Sequence, residues 1–175
     1  MIQPSRIIMV TGGARSGKSL LAETMACRNP APRHYIATAE ALDAEMAQRV
    51  LAHRQRRDGG WITHEAPRDL TGALARTDGQ GVRLVDCLTL WLSNIMRDDP
   101  EARLRALVDT LAAQVSPVIL VTNELGLGIV PENALARRFR DLHGLMNQAV
   151  AAASDQVWMA VSGLPLRLKP QREMP

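Results

Sequence analysis

Arg6-Ile7-Ile8-Met9-Val10-Thr11-Gly12-Gly13-Ala14-Arg15-Ser16-Gly17-Lys18-Ser19 is the stretch that decides how this chain is read. Its first half is a short apolar run rich in branched side chains, the mark of a strand buried on both faces. Its second half spaces Gly12-x-x-x-x-Gly17-Lys18-Ser19 as a phosphate-binding loop requires. Glycines let main-chain N–H groups close around phosphate oxygens with no side chain in the way. A helix beginning at Lys18 adds the positive end of its dipole. Gly12, Gly13, Ala14, Arg15, Ser16, Gly17, Lys18 and Ser19 are therefore expected to cradle a nucleoside triphosphate. Lys18 would reach the β- and γ-phosphates and the Ser19 hydroxyl would hold Mg²⁺. A chance match in a glycine-rich turn is the competing explanation, and the strand before the loop and helix after it argue against it.

Outward from this loop, helical and strand patterns alternate. The first helix runs from Lys18 to about Arg28 and stops at Asn29-Pro30. His34 to Thr38 reads as a strand. Leu42 to Arg57, with Leu42, Met46 and Val50 at a spacing of four, reads as an amphipathic helix ended by Asp58-Gly59-Gly60. Trp61 to Ala66 is an edge-strand candidate, Asp69 to Arg76 a helix, and Val82 to Val85 a strand leading into Asp86. Helices over Cys87–Met96 and Glu101–Val115 are separated by Asp98-Asp99-Pro100. Val118 to Thr122 is a strand, Asn123 to Pro131 a glycine-containing loop, and Glu132 to Ala153 a long helix. Val157 to Val161 reads as the last buried strand, and residues 169–175 as a frayed tail. Such alternation predicts an α/β fold with a mostly parallel sheet and helices on both faces. The 175 residues contain no linker or repeat, so one domain over 1–175 is expected.

Composition narrows the function classes. The hydrophobic fraction is 46% and the charged fraction 22%, ordinary for a globular protein, while aromatics at 3% imply an aliphatic core. The net charge of +3 is spread along the chain, with one cluster at Arg54, Arg56 and Arg57. Without a long basic run or interleaved aromatics, nucleic acid is not the expected partner. No stretch approaches the ~20 apolar residues of a membrane span, and the N-terminus has no secretory pattern, so a cytoplasmic protein is expected. Cys27 and Cys87 match no metal-ligand spacing and read as two buried, reduced thiols.

Asp86, at the end of a predicted strand, is the candidate for the acidic residue on the Mg²⁺ side of the loop; capping the helix that follows is its other reading. The guanine-selecting Asn-Lys-x-Asp of GTPase switches is absent, since the corresponding place reads Thr122-Asn123-Glu124-Leu125. A small-molecule or nucleotide kinase and a non-catalytic nucleotide-binding module both remain open on these features.

Longer strings are more specific. Val10-Thr11-Gly12-Gly13-Ala14-Arg15-Ser16-Gly17-Lys18-Ser19, Tyr35-Ile36-Ala37-Thr38 with Glu45-Met46, Arg49, His53 and Arg54, then Val121 to Asn133, and Val161-Ser162-Gly163 occur in order. Together they resemble the bifunctional adenosylcobinamide kinase/adenosylcobinamide-phosphate guanylyltransferase family, from about Ile7 to Lys169. The resemblance implies a recombinase-like P-loop fold, a trimer, and two reactions. A nucleoside triphosphate, ATP or GTP, phosphorylates adenosylcobinamide; GTP then transfers GMP to that phosphate and releases pyrophosphate. It implies a GMP–histidine intermediate on His53, nucleotide contacts from Ala37, Thr38, Arg54 and Glu65, and Mg²⁺ held by Ser19 and Asp86. A member restricted to guanylyl transfer is the narrower alternative. Asp86 stands where some members carry Glu, which leaves direct or water-mediated metal contact open.

The chemistry of His53 fits that role. A neutral imidazole, with an ordinary pKa of about 6.5, is a good nucleophile near pH 7. On an ideal helix His53 lies about 20° from Leu42, at the border of the apolar face. Neighbouring Arg49, Arg54, Arg56 and Arg57 supply cations for a triphosphate. The plain reading is a histidine at a helix C-terminus. His34 and His143 read as structural and His64 as incidental. Asn123 and Glu124, at the C-terminal end of a strand, are expected near the γ-phosphate or the corrinoid.

Overall fold

The protein is described here by a computed structural model covering residues 6–40 and 59–170. The expected helix over Leu42–Arg57, and with it His53 and Arg54, lies outside the described residues.

β1 (Ile7–Gly12) leads through the glycine loop into α1 (Lys18–Ala26), and β2 (Arg33–Ala37) follows. β3 (Trp61–Glu65), α2 (Leu70–Thr77), β4 (Val82–Asp86), α3 (Leu88–Ile95), α4 (Pro100–Ala113), β5 (Val118–Val121), α5 (Ala134–Ala153), β6 (Gln156–Val161) and β7 (Leu164–Lys169) complete the order. The sheet runs β3-β2-β4-β5-β1-β6-β7. Its first six strands are parallel, and only β6–β7 is antiparallel.

The central strands are the most apolar because helices cover both of their faces. Ile7, Met9, Ile36, Val85, Val118 and Leu120 pack against α2, α3, α4 and α5 through Leu70, Leu74, Leu88, Trp91, Leu107, Met146 and others. On the opposite face Val10, Leu84, Ile119 and Val121 meet Ala22, Met25 and Ala26 of α1. Each fully buried aliphatic side chain contributes about 1.5–3 kcal/mol.

Helix starts are set by side-chain caps. Asp99 accepts from the Ala102 N–H at 3.1 Å with Pro100 at the first helical position, so α4 begins one residue before the expected Glu101. The Asn133 side chain accepts from the Leu135 and Ala136 N–H groups, which starts α5 at Ala134 rather than Glu132.

Two expectations are corrected. The sheet does not end at Val161. Ser162 (φ 51°) and Gly163 (φ 82°) form a tight turn into β7, and positive φ at both positions matches the twist of a two-residue hairpin. β7 is exposed along nearly its whole length; its Leu164, Leu166 and Leu168 alternate with polar residues, but the pattern is broken by Pro165, which an edge strand tolerates. The cysteines are not both buried: Cys87 is, but Cys27 caps the end of α1 and is exposed.

Candidate active site

The glycine loop sits where β1 ends, with β5 on one side and β6 on the other. Its main chain is held from three directions. Gly12 O accepts from the Glu124 N–H at 3.0 Å, Ser16 O accepts from the Gly163 N–H at 2.9 Å, and Gly17 O accepts from Leu21 N–H at 3.0 Å within α1. A side chain at Gly12 (φ 154°) would place Cβ 2.6 Å from Ala160 O and 2.5 Å from Ser16 Oγ, so only glycine fits there. Gly13, Ala14 and Arg15 are exposed at the mouth of the loop, whereas Ser16 is buried. Lys18 Nζ donates to Gly13 O at 3.0 Å, which folds the ammonium over the loop. Burial lowers the Lys18 pKa, opposed by the nearby Cys87 and Asp86.

Asp86 ends β4, two strands from β1, and accepts a hydrogen bond from Tyr35 Oη at 2.9 Å. The peptide after it, Asp86–Cys87, is cis. Thr38 fastens this corner: its Oγ1 donates to Cys87 O at 2.7 Å and accepts from Cys87 N–H at 2.8 Å. Thr38 N–H donates to Asp86 O, and Asn94 Nδ2 donates to Thr38 O at 2.9 Å. Thr38 is thus fully buried, with its hydroxyl engaged by the chain itself. Its side chain positions Asp86. The Cys87 thiol is pushed up to about 11 by burial and by the Asp86 carboxylate, which keeps it protonated and unreactive.

Ala37 and Glu65 pair across β2 and β3, and Ala37 pairs with Asp86, so all three stand in one row at the C-terminal edge of the sheet. Asn123 and Glu124 follow β5 at that edge, and the Glu124 N–H bond to Gly12 ties them to the loop. Glu124 Oε1 accepts from the Gly126 N–H at 2.6 Å. The structure therefore brings together Gly12 to Ser19, Ala37, Thr38, Glu65, Asp86, Asn123 and Glu124 along one edge, where open α/β sheets bind ligands. His34 and His64 lie apart from this row: His34 Nδ1 and His64 Nε2 are 2.9 Å apart, and His34 Nε2 is 3.2 Å from Gln80 O.

Tyr35, Asn94, Thr89 and Asn147 hold this edge together, and none of them carries an individual signal in the sequence. Their partners lie far off in the chain, beyond any local spacing. For a divalent cation, the donors at hand are the Ser19 hydroxyl and the Asp86 carboxylate, the latter close enough to influence Lys18. This hard-oxygen pair fits Mg²⁺, which takes one or two protein oxygens and completes its shell with phosphates and water. Among the described residues no helix is long and apolar enough to cross a membrane.

Residues 8–168 match the family described as cobinamide kinase / cobinamide phosphate guanyltransferase. The chain is 45% identical over 167 residues to the bifunctional adenosylcobalamin biosynthesis protein CobP of Pseudomonas aeruginosa, covering 92% of this chain and 96% of that one. It is 44% identical over 184 residues to the bifunctional adenosylcobalamin biosynthesis protein CobU of Salmonella typhimurium, covering 93% and 99%. Among solved structures it resembles an ATPase of the type III secretion system of pathogenic bacteria, with a TM-score of 0.50 at 14% identity over 93% of this chain and 56% of that one. That last likeness speaks for the P-loop fold alone. The match spans the loop, the Asp86 edge and the Asn123 string together, and the chain belongs to the cobinamide kinase / cobinamide phosphate guanyltransferase family.

Proposed function

We propose that guanylyl transfer in this protein runs through His53, with the triphosphate of GTP held by the glycine loop. The chain is a bifunctional cobinamide kinase and cobinamide phosphate guanylyltransferase of adenosylcobalamin biosynthesis. The observation that carries the reading is the loop itself: Lys18 lies folded over Gly13 beside Asp86, in a chain of this family.

In the kinase step the aminopropanol hydroxyl of adenosylcobinamide attacks the γ-phosphorus of ATP or GTP. The bond to the bridging oxygen breaks, the hydroxyl proton leaves, and a nucleoside diphosphate is released. Lys18 and the loop N–H groups neutralise charge on the transferred phosphoryl group. In the second step an imidazole nitrogen of His53 attacks the α-phosphorus of GTP. A P–N bond forms and pyrophosphate departs. An oxygen of adenosylcobinamide phosphate then attacks the same phosphorus, giving adenosylcobinamide-GDP and restoring His53. Arg54, Glu65 and Ala37 contact the guanine nucleotide, with buried Thr38 supporting the Asp86 corner behind them, while Asn123 and Glu124 face the γ-phosphate or the corrinoid. Mg²⁺ on Ser19 and Asp86 would screen the phosphates when bound.

One domain over 1–175 performs both steps, in the cytoplasm and as a trimer. The family resemblance supports that assembly. So do exposed Val161, Leu164 and Leu166 on the edge hairpin, an apolar face that a second copy would cover.

GTP labelled at the α-phosphate tests the intermediate. Acid-labile, alkali-stable label on the wild-type chain and none on His53→Ala is the expected result. No label on a wild-type chain that binds GTP would remove His53 as nucleophile.

A further inference from the structure

Asn123 leaves the sheet just beyond β5, so its main-chain groups have lost their ladder partners. Two helices supply replacements. Its N–H donates to Thr89 Oγ1 at 3.0 Å, and its carbonyl accepts from Asn147 Nδ2 at 3.0 Å. Thr89 stands in the first turn of α3, three residues beyond Asp86, and Asn147 lies in the middle of α5. One helical turn before Asn147, buried His143 brings Nε2 to 2.9 Å from Thr89 Oγ1. Thr122 Oγ1 donates to Asn147 Oδ1 at 2.8 Å and lies 3.4 Å from His143 Nε2. The next residue, Glu124, reaches the glycine loop through its N–H bond to Gly12 O.

The hydrogens in this network can be assigned. A hydroxyl has one hydrogen to give. Thr89 Oγ1 accepts from Asn123, and its own hydrogen is satisfied by His143 Nε2 in the tautomer that leaves this ring nitrogen unprotonated. Thr122 gives its hydrogen to Asn147 Oδ1, which turns the Asn147 amide nitrogen toward Asn123 O. Among the described residues, no other acceptor lies within reach of the Thr89 hydrogen. The arrangement is therefore directional, and it ends on the main chain of Asn123.

We infer that Thr89, His143 and Asn147 are positioning residues that fix Asn123 and Glu124 against Gly12 for phosphoryl transfer to the acceptor. This rests on the reading above that Asn123 and Glu124 face the phosphate or the corrinoid. Thr89 belongs to the segment that carries Asp86, so the same hydroxyl joins the two strand ends flanking the transferred group. A network serving packing alone would raise stability and leave turnover untouched, whereas misplacement of a reacting group lowers turnover of bound substrate.

The test uses the full chain with Mg²⁺–GTP and cobinamide, and reads kcat and KM for the kinase step separately, beside the thermal midpoint. Thr89→Val keeps the shape and removes the hydroxyl. Its kcat should fall about tenfold or more, with KM for GTP within about twofold. Thr89→Ser should restore most of the loss. A smaller fall, a loss confined to KM, or a serine variant no better than valine overturns the inference. If Thr89→Val does not fold, Asn147→Ala is judged by the same kcat. A wild-type protein that transfers no phosphoryl group overturns the reading of the site and the inference together. Unchanged variants beside an active wild type overturn the inference alone.

Discussion

Lys18 lies between burial, which favours its neutral form, and Asp86, which favours the ammonium. Replacing it with Met removes the charge and leaves the half-buried stem, so the fold should persist. Kinase turnover should fall about 10²–10³-fold, the usual loss for a group that stabilises transition-state charge. Steady-state kinetics beside circular dichroism separates these two outcomes. Gly12→Ala acts differently, because its Cβ would meet the main-chain oxygen of Ala160. It should destabilise the protein by about 1–3 kcal/mol and weaken GTP binding, measured by urea unfolding and nucleotide titration. The loop was legible in the sequence because its chemistry is local, eight consecutive residues between a strand and a helix. Tyr35 and Thr89 were not, since they meet their partners Asp86 and His143 across 51 and 54 residues. Thr38 was expected to contact nucleotide; its bonds to both polar groups of Cys87 make its side chain a clamp on the Asp86 corner.

At the scale of elements, the N-terminal end of β4 is held by a fully buried guanidinium. Arg83 donates to Asp78 Oδ1 at 2.7 Å and to Gln114 Oε1 at 2.5 Å. Asp78 also accepts from the Val115 and Ser116 N–H groups, joining the end of α2 to the turn before β5. Burial would raise the Asp78 pKa, but those N–H groups and Arg83 outweigh it and hold the carboxyl below its ordinary value. Asp78→Ala leaves Arg83 buried without its counter-charge and should lower stability by about 3–5 kcal/mol, read from the urea midpoint. Strands and helices covering the core were legible because apolar periodicity follows burial. The edge strand β7 was not, because Pro165 interrupts the alternation of Leu164, Leu166 and Leu168 with Arg167 and Lys169. The Ser162-Gly163 pair was a second local sign, a turn signal at its start.

At the scale of the whole molecule, stability should depend on pH through two histidines. Burial lowers the pKa of both His64 and His143. The His34 ring and Arg76 lower His64 further, while Glu124 pulls His143 partly back. Below about pH 6.5 the unfolded chain takes up protons that the folded one refuses. Stability therefore rises with pH from the lowered folded values up to about 6.5, is complete above that, and declines on acidification. Urea unfolding at pH 5.5 and 7.5 should show this difference, and His64→Gln with His143→Gln should flatten it. The Asp78 carboxylate adds a second loss at lower pH, below the ordinary carboxylate range. The layered α/β architecture was legible in the alternation of elements. The tether at the glycine loop was not, because it joins Ser16 to Gly163, far apart in the sequence.

That tether has a meaning for the order in which the protein is made. The glycine loop is translated before its supports, because its strand lies between neighbours that begin at Val118 and Gln156, and its Ser16 carbonyl waits for Gly163. A nascent chain on the ribosome carries the whole nucleotide motif long before the surroundings that shape it exist. The loop's full set of supports is therefore complete only once Gly163 has left the ribosome.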